Sequence, residues 1–536
     1  MRHQLSRFSR YSTLAICVVL TPTFGALCVV NVYFGLAAAV FAVLAAIGIS
    51  DVLQTRHSLW RNYPILSHFR WMFEGIRPEI RQYLFESDVS GTPFNREQRS
   101  LVYQRAKGDP HKVPFGTELD VYGDQYAWLN HSSSPKQPSI EPFRVQVGNK
   151  DCSRPYSSSV LNVSAMSFGS LSANAVLALN EGARRGDFAH DTGEGGVSRY
   201  HVQHGGDLIW EIGSGYFGCR KSDGRFDDVM FAEQASHHTI KMIELKLSQG
   251  AKPGHGGVLP GSKVTAEIAQ ARHIPIGETC KSPASHSAFE TPLEMMEFIG
   301  KLRELSNGKP VGFKLCVGHR WEFMALCKAM LQTGIRPDFI VIDGSEGGTG
   351  AAPLEFTDHV GSPLRVGLTF AQNVLVGSGL RHDIKLAASG KIVSAFDMVR
   401  AMCLGADWCN SARGFMFALG CIQSQSCHTN RCPVGVATQD PQRQQALVVT
   451  DKSERVYGFH HRTLKALAEI VAAAGLNHPS ELRPEHFYTR RDPEHVTSFH
   501  DTFIWLQREE LLRADAHPLY ASYWKLAQAQ SFAPAR

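Results

Sequence analysis

The sequence predicts an α/β chain whose body is a (β/α)8 TIM barrel, preceded by an N-terminal transmembrane hairpin. Three observations predict this. Eight short apolar or β-rich runs, each ending in Gly, Ser or charged residues and mostly followed by a helical stretch, fill about 260 residues, the count and length of such a barrel. The stretches between them carry helix start and stop signals. And from Tyr11 to Ser50 there is no Asp, Glu, Lys, Arg or His.

The uncharged stretch comes first. A membrane-crossing helix needs about 20 apolar residues, so the stretch fits two spans, 13–30 and 33–50, with a tight turn near Asn31. Pro22 and Gly25 kink the first span, as transmembrane helices tolerate. Arg2, Arg7 and Arg10 precede it and Arg56, Arg61 and Arg70 lie beyond it. Basic residues on both flanks put both ends in the cytoplasm, a multi-pass anchor in the cell membrane with the rest facing the cytoplasm. A signal peptide has an apolar core of about 7–15 residues, far shorter than this. A single span near 26–49 is the alternative. Residues 1–55 are thus the anchor, 56–150 a connecting region that packs on the barrel, 151–475 the barrel itself and 476–536 a C-terminal extension.

The barrel strands are read at Leu161-NVSAMSFG, Asp187-FAHDTGEGG, Ile209-WEIGSG, Met242-IELKLSQG, Val311-GFKLCVG, Asp338-FIVIDGSEGG, Ile384-KLAASGK and Asp407-WCNSARG. Thr291-Pro292-Leu293-Glu294 supplies an N-cap, a proline at the first helical position and a carboxylate three residues on, with Gly308 beyond the helix; Ser394-AFD and Gly405 repeat the pattern. A doubly wound open sheet accommodates the same alternation, but eight repeats favour the barrel.

With 43% hydrophobic and 20% charged residues among 536, the chain is a folded one. A net charge of +5 without a Lys/Arg stripe interleaved with aromatics argues against nucleic acid as a partner. Twelve cysteines, three of them in one short run, are no disulfide framework and suggest a reducing compartment.

That run is Cys421-IQSQS-Cys427-HTNR-Cys432-Pro433. Clustered thiolates closed by Cys-Pro suit an iron-sulfur cluster, hence electron transfer. Three local cysteines make a 3Fe-4S cluster the simplest reading; a 4Fe-4S cluster needs a distant fourth ligand. Zinc prefers paired C-x2-C knuckles and four ligands, and only His428 is at hand.

Barrel chemistry sits at the C-terminal strand ends, and the loops after strands 7 and 8 commonly bind phosphate. Ser389, Gly390 and Lys391 follow strand 7, Ser411 and Arg413 follow strand 8, so a phosphate-bearing cofactor is expected there, approached by the backbone of Gly347, Gly348 and Thr349 after strand 6. Lys314 is charged inside the apolar strand 5. Facing the N1–C2=O edge of a flavin it would stabilise the reduced ring; the competing reading pairs it with a carboxylate inside the barrel.

MSFGSLS at 166–172, TGEGG at 192–196, QGAKPGHGG at 249–257, DGSEGGTGAAP at 343–353 and GCIQSQSCHTNRCPVGVATQDP at 420–441 together resemble the FMN-binding synthase region of glutamate synthases, over about 155–445. The resemblance implies FMN and a 3Fe-4S cluster that feeds it electrons, with Cys421, Cys427 and Cys432 as ligands and Ala165 and Ser167 beside the flavin. The family reaction adds ammonia to 2-oxoglutarate and reduces the imine to glutamate. The matching residues Lys246 and Lys252 would bind the substrate carboxylate or imine, and Glu194 would handle protons or guide ammonia.

The chain departs from the family pattern. The amidotransferase segment is not seen, so no glutaminase activity is expected. Without a GxGxxG site, electrons would pass through an external carrier, a ferredoxin-like protein or the quinone pool. Where the family reads GAKPGEGGQ this chain has His255 and Val258, and where it reads SGRFG this chain has Tyr216. His255 is a candidate acid or base because imidazole titrates near neutrality. The exchanges leave room for another amine or imine substrate, with electrons exchanged with a membrane carrier. A different class, a non-catalytic electron-transfer or scaffold subunit, predicts that Lys252 and His255 are dispensable.

Overall fold

The computed structural model describes residues 10–110 and 112–536; Arg2 and Arg7 of the expected basic flank lie outside them. The chain forms two compact units, 1–93 and 94–536.

In the first unit, helices α1 (Ser12–Leu27) and α2 (Tyr33–Leu53) form an antiparallel hairpin. Phe24, near the end of α1, stacks on Phe34 and Phe41 at 6.0 and 5.5 Å, while Leu14 at its start lies against Gly48. The turn falls where expected, with Asn31 Oδ1 accepting the Tyr33 N–H at 3.0 Å. The expected pair of spans is corrected in one respect. Among the described residues only α2, at 21 residues and a mean hydropathy of 2.3, is long and apolar enough to cross a bilayer. With 16 residues α1 reaches about 24 Å at 1.5 Å per residue, short of the roughly 30 Å hydrocarbon core. After the one-turn helix Ser58–Asn62, helix α3 (Ser67–Ile80) follows, continued by a π-helical turn over Arg81–Phe85.

In the second unit eight parallel strands close into a barrel: β1 (Leu161–Val163), β2 (His190–Asp191), β3 (Leu208–Ile212), β4 (Ile240–Lys246), β5 (Val311–Leu315), β6 (Phe339–Asp343), β7 (Lys385–Ser389) and β8 (Trp408–Ser411). Each overlaps one of the eight runs read from the sequence, β3 and β4 starting one and two residues ahead of theirs. Closure through Cys409 opposite Leu161 and Ser411 opposite Val163 excludes the open sheet. Strands such as β3 and β5 are buried along their whole length, as a sheet covered on both faces requires.

The start signals work as read. Thr291 and Glu294, and Ser394 and Asp397, form reciprocal capping boxes that satisfy otherwise orphaned N–H groups, each cap contributing about 1 kcal/mol. Ahead of the barrel, Asn95 and Gln98 cap the helix Arg96–Lys107 in the same way. The C-terminal extension closes the unit: Phe487–Arg490 pairs with Ala127–Leu129 on one edge and Val496–Ser498 on the other, so residues before and after the barrel share a small antiparallel sheet.

Candidate active site

The barrel interior is unusually polar. Lys314 on β5, 4% exposed, bonds to Glu211 of β3 and has its Nζ 3.1 Å from Glu244 Oε1 of β4. Asp191 and Asp343 also act on it. Burial alone would lower the lysine's pKa, but the four carboxylates hold it well above its ordinary value. Burial pushes Glu244 up to about 7, and Asp191 and Asp343 upward as well. Of the two readings of Lys314, the structure therefore realises the carboxylate pair inside the barrel.

Above this layer, at the carboxyl ends of β2 and β4, the residues expected to be catalytic gather. Lys246 Nζ lies 3.0 Å from Glu194 Oε2 and also donates to Gln249 Oε1 at 3.0 Å. Lys252, 2% exposed, donates to the Gly256 carbonyl. The Glu194 carboxylate needs the bare backbone at position 257, where a Cβ would sit 2.0 Å from its Oε1. Gly193, at φ 64°, turns the chain against the β1 loop, where a Cβ would come within 2.6 Å of Ser167 N.

Sequence reasoning missed a third cation. Arg272, 4% exposed, ends the short helix Ala266–Arg272 inside the long β4–β5 excursion. It donates to Ser167 Oγ (3.3 Å) and the Phe168 carbonyl (3.2 Å), its guanidinium carbon lies 5.2 Å from the Phe217 ring centroid, and its Nε has no hydrogen-bond partner. Burial alone would raise the Glu194 pKa, but Lys246, Arg272 and Lys252 together hold it below the ordinary carboxylate value. Burial lowers the pKa of Lys252; Glu194 partly offsets this and Lys246 adds to it. The site thus sets three largely buried cations against one ionised carboxylate.

Two sequence expectations look different here. Tyr216, at φ 48°, is fully buried with its hydroxyl accepting the Ala288 N–H at 3.1 Å and lying 3.1 Å from His286 Nδ1; it anchors the loop rather than replacing a pocket residue. His255 is exposed, with Nδ1 2.9 Å from the carbonyl of its neighbour Gly256 and its ring edge-on to Phe356. The Lys252 ammonium bonds to that same carbonyl, so the imidazole sits at the outer edge of the Glu194 group. Val258 belongs to a two-residue ribbon, opposite Lys281.

The expected cofactor residues lie at the ends of β1, β6, β7 and β8. Ser389 Oγ is 3.3 Å from Ser164 Oγ, next to Ala165, while Ser411 Oγ donates to the Ile392 carbonyl. Arg413 donates to the Gly348 carbonyl at 2.9 Å, tying the β8 end to the loop that holds Gly347 and Thr349. Gly390 and Lys391 follow β7 directly. Hydroxyls and cations side by side at these ends are the donor set that a phosphate needs.

The cysteine loop follows the helix Arg413–Ala418 after β8. Cys432 is buried, Cys421 and Cys427 half-buried, and all are free thiols. Burial pushes Cys421 up to about 11, while a charge on Cys427 or Cys432 adds to the rise. Among the described residues the one set of three ligand atoms within 4.8 Å of one another is Asp191, Glu211 and Glu244. The cysteine sulfurs are wider apart than a single zinc, with bonds of about 2.3 Å, would hold them. An all-thiolate donor set is the kind an iron-sulfur cluster uses. Tyr103 OH donates to the Cys421 carbonyl at 2.6 Å, and Gln423 makes two bonds with the Phe94 backbone. Lys263, 3% exposed, donates to the Cys427 carbonyl at 2.8 Å.

Buried, mutually perturbed charges at the carboxyl ends of barrel strands define a β/α-barrel enzyme. Residues 136–477 match the family described as the conserved region in glutamate synthase. Over 499 residues the chain is 39% identical to the glutamate synthase large subunit-like protein YerD of Bacillus subtilis (strain 168), covering 85% of this chain and 94% of that one. The chain belongs to the glutamate synthase family. The archaeal-type glutamate synthase (NADPH) of Thermotoga neapolitana is 35% identical over 320 residues, and the archaeal glutamate synthase (NADPH) of Methanocaldococcus jannaschii 35% over 322, each alignment covering 60% of both chains. Among solved structures, a flavocytochrome b2 variant with pyruvate bound aligns at a TM-score of 0.39 and 12% identity over 79% of this chain and 85% of that one, too loose to argue from.

Proposed function

We propose that this chain is an FMN- and 3Fe-4S-dependent oxidoreductase that forms glutamate from 2-oxoglutarate and ammonia, without glutaminase activity. The observation that carries the reading is the charge of the pocket. Lys246, Lys252 and Arg272 against Glu194 leave an excess of two positive charges, which a dianionic keto acid would neutralise. Arg272 restores the carboxylate-binding arginine whose loss the Tyr216 exchange suggested, and so favours the inherited substrate over another amine.

Ser164, Ser389, Gly390, Ser411 and Arg413 would hold the FMN phosphate, and Cys421, Cys427 and Cys432 the cluster. When bound, these groups supply hydride and one-electron chemistry respectively. The chain's own residues would do the rest. Arg272 and Lys246 hold the substrate carboxylates, the Lys252 ammonium, already eased toward releasing its proton, donates at the substrate's C2 substituent, and the Glu194 carboxylate accepts an N–H of incoming ammonia.

The apolar helix α2, with Arg56, Arg61 and Arg70 after it, supports a membrane anchor with the barrel facing the cytoplasm. Reducing equivalents would then come from a ferredoxin-like protein or the quinone pool.

Anaerobic purification should give flavin absorbance and a cluster paramagnetic signal, and reduced protein should be reoxidised by 2-oxoglutarate plus ammonium. Reoxidation only by other keto acids or imines would overturn the substrate assignment. Lys263 gives a second test. Replacing it with Met should move the cluster midpoint potential more negative by on the order of tens of millivolts, because a buried cation favours the reduced state. Lys263→Arg should stay near wild type in the same potentiometric titration.

A further inference from the structure

We propose that helix α3 lies flat in the interface of the membrane, its apolar face among the acyl carbons nearest the glycerol and its arginines at the level of anionic phospholipid headgroups. This rests on reading α2 as a membrane span. Phe69, Met72, Phe73, Ile76 and Ile80 recur three or four residues apart and so line one face of α3. Phe69, Met72, Phe73 and Ile76 are 53, 49, 56 and 42% exposed. A monomeric soluble domain rarely leaves such a row bare.

The flanking face carries Arg70, Arg77 and Arg81, the last paired with Glu86 at 2.9 Å, and residues 56–86 hold five arginines against three glutamates. Charge of this sign beside an exposed apolar stripe is the signature of a helix that lies on an anionic bilayer. Tyr63, Trp71 and Tyr83, 49, 47 and 65% exposed, are of the residue types that settle at the headgroup level.

The junction fixes the level. The buried Asp51 carboxylate, in the last turn of α2, accepts the Ile65 N–H at 2.9 Å and lies 2.9 Å from His68 Nε2 in the first turn of α3. Trp60 stacks on the same imidazole at 4.7 Å. The start of α3 is therefore tied to the end of the apolar helix, where the hydrocarbon gives way to headgroups. A second copy of the chain would also cover an apolar face, but neither the arginine row nor this tether would be needed for it.

The test uses the full-length protein in vesicles of phosphatidylcholine and phosphatidylglycerol that carry a photoactivatable diazirine on the acyl chain close to the glycerol. Peptide mapping by mass spectrometry should find lipid adducts on Phe69–Ile80 as well as on Tyr33–Leu53. Omitting phosphatidylglycerol should lower labelling of α3 several-fold and leave α2 unchanged. The double substitution Phe73→Glu and Ile76→Glu should remove the α3 adducts while those on α2 persist. Adducts on α2 with none on α3 in the wild-type protein would overturn this proposal and leave the anchor standing; adducts on neither would overturn both.

Discussion

Replacing Lys314 with methionine is expected to cost about 3–5 kcal/mol of stability, because it strips the one cation from a buried set of acids and leaves their charge uncompensated. Glu211 and Glu244 contact the ammonium directly, and Asp191 and Asp343 add to its field. The pH dependence is set by the directions of the shifts. The lysine's pKa is raised, so its contribution is complete below the unfolded value of about 10.5 and is lost only as pH rises beyond the folded one. The carboxyls of Glu244, Asp191 and Asp343 are raised as well, Glu244 to about 7, so the native state keeps protons that the unfolded chain has released. Their contribution to stability therefore falls as pH climbs from about 4.5 toward 7. Without Lys314 that fall should steepen. Urea midpoints at pH 5 and pH 8 should show the larger deficit at pH 8, and adding Glu244→Gln should recover part of it. Equal midpoints for Lys314→Met and wild type would show that the acids do not depend on the lysine.

The largest effect on turnover is expected at Lys252. Methionine there should lower kcat by about 10²–10⁴-fold, the usual contribution of a positioned proton donor, with flavin and cluster spectra unchanged. Arginine should not rescue it, because a guanidinium does not release its proton in this range. In wild type, kcat should fall as pH rises past the lowered pKa of Lys252. Glu194 is the group holding that pKa up, so Glu194→Gln should shift the falling limb to lower pH. Stopped-flow reoxidation of the reduced protein measures both. A Lys252→Met variant with raised KM and normal kcat would make the residue a binding group only.

The barrel was legible because its determinants are local: each strand is a short apolar run stopped by Gly, Ser or charge, and each capping box lies within four residues. What resisted reading depends on contacts distant in sequence. Nothing near Lys314 tells that Glu211 of β3 and Glu244 of β4, on strands far earlier in the chain, point at it. Arg272 escaped because it sits on a short helix within an excursion and not at a strand end. Tyr216 misled because a motif records which residue is present and not where its left-handed backbone sends the side chain. The hairpin was visible as uncharged length, but the turn takes Cys28 to Val32 out of the helices, and that leaves α1 short.

The braces on the cysteine loop bear on how small a working fragment of this chain could be made. Phe94 and Tyr103, which hold Gln423 and the Cys421 carbonyl, lie well ahead of the first barrel strand. A fragment designed from the barrel alone, starting near residue 151, would keep the pocket lysines yet leave the sulfur ligands on a slack loop. The smallest piece that keeps the cysteine loop braced has to begin before its barrel does, at the boundary just ahead of Phe94.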